Sequence, residues 1–345
     1  MQLKDKINAL VQLGEKMTPQ NDALQAIVRR TALGNGWFTE DNQWKAISAI
    51  KQAFLERNNL ENWTNKYDFK KDTPSVKEPK IHKIALILAG NIPLVGFHDI
   101  LCVFISGHKG KIKLSEKDLF IIPFLIKNLI EIDENCRNYF EITEGKMQDF
   151  DAVIATGSNN SARYFETYFG KYPNIIRKNR NAVAILRGYE TASDLRLLGE
   201  DIFTYFGLGC RNVSKIYVPR GYDFKPLLEE LHTFNQLVLN DKYKNNFDYQ
   251  FTLLILNKVK YEGNGCILMT ENTSIASPIA GLYYEFYDDI GILKQHLREN
   301  RDAIQCVVSK ERVEKMPSFY FGEAQKPSIE DYADGVDTLQ FLLNL

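Results

Sequence analysis

The sequence predicts an α/β protein in which parallel strands are covered by helices, preceded by a helical N-terminal segment. Two observations carry this prediction. From about residue 80, short apolar strands alternate with helical segments, which is the order of β-α-β units. Strands such as KIALILAGN (83–91) and DAVIATGS (151–158) are apolar along most of their length, as strands buried on both faces of a parallel sheet are.

The first 78 residues are predicted to be mainly helical. Apolar residues recur at three- and four-residue intervals, as in Ile47, Ile50 and Phe54, and Thr39 stands where an N-cap is expected. The polar segment 65–80 holds two prolines and has no periodicity, which predicts a linker or surface loop.

The alternation continues to the end of the chain. Thr191 and Asp194 form a capping-box pattern at the start of one helix. The predicted strands are 83–91, 110–115, 151–158, 181–188, 214–219, 266–271, 281–289 and 303–309. The predicted helices are 96–107, 116–132, 160–169, 195–206, 223–240 and 289–300.

Composition and charge exclude several classes of protein. The 345 residues are 44% apolar and 25% charged, and 43 basic residues nearly balance 44 acidic ones, so net charge gives no reason to expect nucleic acid. The N-terminus lacks the apolar core of a signal peptide, and no run is long enough to cross a membrane. We therefore expect a soluble, cytoplasmic protein. Five widely spaced cysteines and five histidines without ligand spacing predict neither disulfides nor a metal site.

Polar residues follow two predicted strands at their carboxyl ends, where open α/β sheets bind ligands. Asn91, in GNIPLVG (90–96), either projects its amide from that end or is an ordinary turn asparagine. Lys113 and Glu116 bracket the end of the next strand; they either hold the two hydroxyls of a ribose or form a solvated strand end.

A strand-to-helix junction follows at TGSNNSAR (156–163), which contains Gly157 and Ser158. The free N–H groups of a helix N-terminus suit a pyrophosphate. The segment is not GxGxxG, however, so an ordinary capped helix start is the alternative interpretation.

One cysteine stands apart from the others. Cys210, in FGLGCRNVSK (206–215), lies between two glycines and Arg211, and an accessible thiol beside a positive charge is reactive. Its alternative is a buried structural thiol. Cys102 and Cys306 lie in apolar runs, where cysteine behaves as a small hydrophobic residue.

Together and in this order, these features resemble the aldehyde dehydrogenase superfamily and, within it, the long-chain acyl-CoA reductases that supply fatty aldehyde to bacterial luciferase. The resemblance runs from about residue 80 to the C-terminus through GNIPLVGFHDIL, KLSEKD, ATGS, FGLGCRNVSKIYVP and DYADGVDTLQFLL. It implies an aldehyde-dehydrogenase-like fold with a Rossmann-like cofactor domain and an α/β catalytic domain. We place the domains as follows: a helical segment at 1–78, the dinucleotide-binding domain at 79–187, the catalytic domain at 188–325 and a C-terminal segment at 326–345.

The resemblance also implies roles for the site residues. Cys210 matches the thiol nucleophile, and Asn91 matches the amide that forms an oxyanion hole with the backbone N–H at the cysteine. The remaining matches contact the dinucleotide: Lys113 and Glu116 at the adenosine ribose, and Gly157 with Ser158 at the pyrophosphate.

Three departures from the family pattern refine the expectation. Aldehyde-oxidising relatives carry a glutamate that activates water, whereas RKNRNAVAILRG (177–188) has no carboxylate, so the acyl-enzyme is kept for CoA exchange or reduction. The luciferase-linked reductases imply NADPH, but the Glu116 carboxylate beside a ribose 2′ position favours NADH, which stays an alternative. SIASPIAG (274–281) lacks the usual glutamate, which leaves the nicotinamide-ribose contact unassigned.

The sequence thus predicts an acyl-CoA reductase that forms an aldehyde through an acyl-cysteine. The alternatives are an acyltransferase or thioesterase that uses Cys210 without reduction, and a non-catalytic scaffold for an acyl-activating partner. The expected partners are an acyl-CoA or acyl-protein thioester, an acyl-activating ligase and further copies of the chain in a homo-oligomer.

Overall fold

The computed structural model describes residues 1–69 and 80–345. These divide into two compact units: Met1–Lys178 with Ser328–Leu345 (the first unit), and Asn179–Pro327 (the second unit). Residues 70–79, which make up most of the loop predicted over 65–80, lie outside the described residues.

Among the described residues, four helices precede the first strand and eight more follow it. They are α1 (Leu3–Lys16), α2 (Asp22–Gly34), α3 (Glu40–Phe54), α4 (Arg57–Thr64), α5 (Phe97–Ser106), α6 (Ile121–Ile132), α7 (Asn159–Phe169), α8 (Ala192–Phe203), α9 (Lys225–His232), α10 (Asp241–Leu256), α11 (Ile290–Glu299) and α12 (Thr338–Leu343). Side-chain caps start two of them as predicted: Thr39 accepts from the Asn42 N–H, and Thr191 forms a capping box with Asp194.

The structure contains two sheets, which are built from the following strands of the described residues. These are β1 (Lys83–Ile87), β2 (Lys109–Lys113), β3 (Phe140–Ile142), β4 (Ala152–Thr156), β5 (Asn174–Arg177), β6 (Asn181–Ile185), β7 (Val213–Pro219), β8 (Glu262–Gly263), β9 (Leu268–Glu271), β10 (Gly281–Tyr287), β11 (Ile304–Ser309) and β12 (Ser318–Phe319).

The first sheet is parallel throughout, in the order β3-β2-β1-β4-β5. Its central strands are buried on both faces: Ile84, Ala85 and Leu86 of β1 are fully buried, because helices cover a parallel sheet on both sides. The N-terminal helices and α12 contribute to the same hydrophobic core as this sheet. The segments predicted separately as 1–78 and 326–345 therefore fold largely with the first sheet.

The second sheet has the order β12-β11-β6-β7-β10-β9-β8, and only the β8–β9 pairing is antiparallel within the described residues. Strand β6 pairs with β11 and β7, whereas the sequence placed residues 181–188 at the end of the cofactor domain. The division between the units lies at Lys178/Asn179 rather than after residue 187.

The helix predicted over 223–240 is interrupted in the structure. Helix α9 ends at His232, and a 3₁₀ turn over Asn235–Leu239 precedes α10. Between them the Phe234 ring packs where Gly199 of α8 has no side chain, and it lies 5.0 Å from the Phe203 ring. This tertiary contact overrides the helical periodicity. No helix of the described residues is long and apolar enough to cross a membrane.

Candidate active site

Five of the predicted site residues lie at one edge of the first sheet. Because β1, β2 and β4 run parallel, the segments that follow them emerge at the same edge. Asn91 follows β1, Lys113 ends β2, and Glu116 comes three residues later; Lys113 and Glu116 are exposed. Gly157 and Ser158 follow β4 directly. This edge is where open α/β sheets bind ligands.

The segment that carries Asn91, residues 88–96, is called the asparagine loop below. It packs closely against the segment after β2: the Leu88 N–H donates to the Lys113 carbonyl at 3.1 Å. A Cβ on Gly90 would lie only 2.5 Å from the Cβ of Ser115. Gly90 is therefore required for this close approach.

A buried carboxylate, not anticipated from the sequence, fixes the same loop. Leu94 has a left-handed backbone, with φ of 59°, and its N–H donates to Oδ2 of Asp118 at 2.9 Å. Asp118 is 2% exposed, and its Oδ1 has no hydrogen-bond partner in the described part of the chain. Burial raises the pKa of this carboxyl to about 6, although the Leu94 N–H opposes the shift.

The turn after β4 approaches helix α7 closely. A Cβ on Gly157 would lie 2.8 Å from Cβ of Ser161 and 2.9 Å from the Phe165 ring. The Ser158 hydroxyl accepts from the Ser161 N–H at 3.2 Å and so caps α7. This arrangement leaves a helix N-terminus directed at the sheet edge, which favours anions.

A buried ion pair anchors the neighbouring strand β5. Arg177 donates through Nη1 to Asp99 at 2.6 Å and through Nη2 to the Thr338 hydroxyl at 2.9 Å. The side chains of the ion pair are less than a tenth exposed. The Arg177 carbonyl in turn accepts from the Gly157 N–H at 3.3 Å. The pair therefore joins α5 and α12 to β5, the strand whose last residue accepts the hydrogen bond from the Gly157 N–H.

Cys210 lies in the second unit, three residues before β7 and thus at the amino edge of its sheet. We call residues 204–212 the cysteine turn. Tyr205, Phe206 and Gly207 all have left-handed backbones, with φ of 55°, 59° and 75°. This conformation is uncommon for bulky residues, and such strain concentrates at functional segments.

The thiol occupies a corner within the cysteine turn. The Asn212 N–H donates to the Gly209 carbonyl at 3.1 Å, which closes a four-residue turn with Cys210 and Arg211 at its two central positions. The guanidinium of Arg211 lies over the Phe319 ring, 5.1 Å from its centroid. A residue at such a corner presents its side chain outward from the turn.

All five cysteines belong to the described part of the chain, and Cys210 is the partly exposed one. The other four are buried, as predicted for Cys102 and Cys306. Burial raises the pKa of Cys102 well above its usual value and those of Cys136 and Cys266 to about 11. These buried thiols stay protonated at neutral pH, and a protonated thiol is a poor nucleophile.

The segment 273–281 borders the start of β7. The Ile275 carbonyl accepts from the Ser214 hydroxyl at 2.7 Å, and the Thr273 carbonyl accepts from Lys215 Nζ at 2.9 Å. A cavity of about 60 Å³ lies between this segment and the cysteine turn, and its lining includes Phe206 and Gly207. The amino edge of the second sheet thus combines a cysteine turn with a small adjoining cavity.

Among residues 1–69 and 80–345, no group of three or more His, Cys, Asp or Glu side chains could hold a metal ion. No protein-family model and no curated protein matches the sequence.

Solved structures of aldehyde dehydrogenases resemble the chain over most of its length. Indole-3-acetaldehyde dehydrogenase from P. syringae, in complex with NAD+ and IAA, is 13% identical with a TM-score of 0.67, over 90% of this chain and 72% of that one. Betaine aldehyde dehydrogenase from Staphylococcus aureus, in complex with NAD+, is 12% identical with a TM-score of 0.67, over 93% and 75%. Aldehyde dehydrogenase C from Pseudomonas syringae, in complex with NAD+ and octanal, is 13% identical with a TM-score of 0.62, over 89% and 71%.

These similarities confirm the predicted fold class. The chain has an aldehyde-dehydrogenase-like α/β fold with a Rossmann-like parallel sheet, a second sheet and a helical N-terminus. At this level of identity the similarity establishes the fold, and the activity has to be argued from the residues.

Proposed function

We propose that this protein is an NAD(P)H-dependent acyl-CoA reductase that forms an acyl thioester on Cys210 and releases an aldehyde. The observation that carries the proposal is the contrast among the thiols. Cys210 is partly exposed at the corner of a strained turn, whereas the other four cysteines are buried. The solved structures that share the fold include aldehyde dehydrogenases with bound NAD+, which supports aldehyde chemistry with a nicotinamide cofactor.

The thiol and the amide divide the work of acyl transfer. The Cys210 sulfur attacks the carbonyl carbon of the acyl-CoA, and the bond from that carbon to the CoA sulfur breaks, so that CoA leaves with the electron pair and takes up a proton. The resemblance assigns to the Asn91 amide the role of donor to the carbonyl oxygen while that oxygen carries negative charge. After reduction, the thiohemiacetal on Cys210 loses its hydroxyl proton and collapses. The sulfur keeps the electron pair of the broken bond and the aldehyde departs.

The residues at the edge of the first sheet suit a dinucleotide. A nicotinamide cofactor, when bound, supplies the hydride that reduces the acyl-cysteine. Lys113 and Glu116 would hold its adenosine ribose, and the Gly157–Ser158 turn would receive the pyrophosphate, where a Cβ on Gly157 has no room. We propose NADPH as the cofactor, with NADH as the alternative that the Glu116 carboxylate favours.

The absence of a carboxylate from residues 177–188 favours reduction of the acyl-cysteine over its hydrolysis. A thioester is hydrolysed quickly only where a general base activates water. Without such a base in this segment, the acyl-cysteine persists long enough for reduction or for return to CoA. That persistence permits the reaction from acyl-CoA to aldehyde, which is the direction that we propose.

The test is cofactor oxidation with acyl-CoAs of graded chain length, measured with NADPH and with NADH. The Cys210→Ser variant is compared with a matched cysteine variant in the same unit, Cys266→Ser. The Cys266 sulfur lies 3.5 Å from the Leu231 carbonyl and 3.2 Å from Oδ1 of Asn264, so a serine hydroxyl donates there in its place.

We expect the intact protein and Cys266→Ser to oxidise the cofactor and to form aldehyde in equal amounts, and Cys210→Ser to do neither. Release of CoA without cofactor oxidation would replace the proposal with an acyltransferase or thioesterase. Complete inertness together with tight binding of an acyl-activating ligase would instead indicate a scaffold.

A further inference from the structure

Asn212 lies two residues after the nucleophile that we propose, and it is 1% exposed. Every polar atom of its side chain is hydrogen-bonded. Oδ1 accepts from the Gly209 N–H at 2.7 Å. The two hydrogens on Nδ2 are shared among three carbonyls, those of Asp201, Ile202 and Thr204, at 3.0, 3.2 and 2.9 Å.

These bonds join the end of α8 to the cysteine turn. The three carbonyls belong to the last turn of α8 and to the residue after it, where helical carbonyls lack partners within the helix. Gly209 directly precedes Cys210. One amide therefore ties the end of the helix to the corner that carries the thiol, across the left-handed residues 205–207.

The backbone of Asn212 is bound as well. Its N–H closes the turn on the Gly209 carbonyl, and its carbonyl accepts from the Ala182 N–H of β6 at 3.2 Å. The backbone that carries the side chain is thus fixed to the second sheet. A misplacement of about 1 Å in a reacting group can cost about a hundredfold in rate, so such a clamp has a direct catalytic consequence.

We infer that Asn212 is a positioning residue, which holds the cysteine turn in the conformation that presents the Cys210 sulfur to an acyl carbon. The inference rests on the proposed function only in that Cys210 is taken as an acyl acceptor. Asn212 itself touches neither the substrate nor the cofactor in this account.

The experiment uses an acyl donor that needs no CoA and no cofactor, p-nitrophenyl acetate. The Cys210 sulfur bonds to the acetyl carbon, and nitrophenolate leaves with the electron pair. The burst of nitrophenolate gives a rate constant, and its amplitude counts the competent molecules. Asn212→Ser and the near-isosteric Asn212→Asp, which has at most one hydrogen to donate where the amide has two, are compared with Asn264→Ser. Asn264 is a matched amide that accepts from the Cys266 and Ile267 N–H groups and donates to the Leu228 carbonyl.

We expect both Asn212 variants to react about a hundredfold more slowly than the intact protein, with an amplitude close to one per chain, and Asn264→Ser to keep the intact rate constant. Partial unfolding lowers the amplitude and leaves the rate constant readable. Intact rate constants in the Asn212 variants would overturn the inference while the proposed function stands. Variants that are wholly unfolded and inert would also overturn it, because Asn212 would then be a folding residue. No burst from the intact protein would refute the acyl-cysteine itself.

Discussion

The asparagine loop and the cysteine turn are both fixed by a buried side chain, but the chemistry of that side chain differs. Each contains bulky residues in left-handed conformations, Leu94 in the first and Tyr205 with Phe206 in the second. A single buried side chain holds each one. In the asparagine loop it is the Asp118 carboxyl, one oxygen of which has no partner among the residues that the structure describes, and in the cysteine turn it is the Asn212 amide, whose polar atoms are all bonded.

The two anchors respond differently to burial and to pH. A buried carboxylate loses its hydration, so the Asp118 pKa rises to about 6 and the loop's support changes with pH. An amide carries no charge to desolvate, and fully satisfied it rigidifies its surroundings at any pH. The first unit therefore holds its candidate site segments with buried charge, including the Arg177–Asp99 pair, whereas a neutral group holds the thiol.

The largest effect is expected from breaking the buried ion pair. Arg177→Met removes the ion-pair partner of the buried Asp99, which should lower the free energy of unfolding by about 3–5 kcal/mol. All three tryptophans, Trp37, Trp44 and Trp63, belong to the first unit, so their fluorescence during urea unfolding measures this unit. The control is Arg137→Met, which breaks an exposed pair with Glu134 in the same unit and should have a much smaller effect. Equal losses in the two variants would contradict the role of the buried pair.

The next effect concerns pH. The pKa of Asp118 rises from 3.8 to about 6 on folding, so between these values the folded chain binds more protons than the unfolded chain. Its contribution to the free energy of unfolding therefore falls as pH rises from 4 to 7, by up to about 3 kcal/mol. In Asp118→Asn this contribution should be absent. The measurement is the difference in unfolding free energy between the variant and the intact protein at each pH, which removes the contribution of Asp201, whose pKa burial raises to about 7.

A constant difference between the two proteins from pH 4 to pH 7 would show that Asp118 does not titrate in this range. The same series on Asn212→Ser sharpens the comparison of the two anchors. Its loss of stability should be the same at every pH, because the amide does not titrate.

A smaller effect is expected from filling the close contact of the asparagine loop. Gly90→Ala forces a Cβ against Ser115, which should cost about 1–3 kcal/mol and reduce kcat/KM. Gly145→Ala, at a glycine with open space around it, is the control. Adding Ser115→Gly to Gly90→Ala should restore most of the loss. Failure of this rescue would mean that the contact is not what requires glycine.

The smallest effect concerns cofactor choice. Glu116 is exposed, so its influence is screened, and Glu116→Gln should lower the KM for NADPH relative to that for NADH by about tenfold at most. Glu131→Gln makes the same charge change on α6, away from the sheet edge, and should leave the ratio unchanged. An unchanged ratio in Glu116→Gln would remove Glu116 from the ribose site.

Local patterns predicted much of the fold. The Thr39 and Thr191 caps and buried strands such as β1 and β4 depend on neighbouring residues, which a sequence displays directly. The assignment of β6 to the second sheet depends on β11, more than a hundred residues later, and no periodicity shows which sheet a strand joins. The short strand β5 was not anticipated, because NIIR lies among polar and charged residues.

The candidate site shows the same limit. Cys210, Asn91 and the Gly157 turn are marked by unusual residues at strand ends, so their positions in the chain could be predicted. Asp118 and Asn212 are ordinary polar residues in polar segments. Their importance comes from burial and from bonds to backbone groups, and burial of a loop residue is a tertiary property that the sequence does not display.

The central claim is the covalent acyl-cysteine, and a single-turnover experiment followed by intact mass measures it most directly. The protein is mixed with an excess of acyl-CoA, desalted, weighed, and then given NADPH or NADH. We predict one acyl group per chain, located on Cys210 by peptide mapping, and its loss as one equivalent of aldehyde when the cofactor is added. No mass increase, or an adduct that persists unchanged in the presence of both cofactors, would contradict the account.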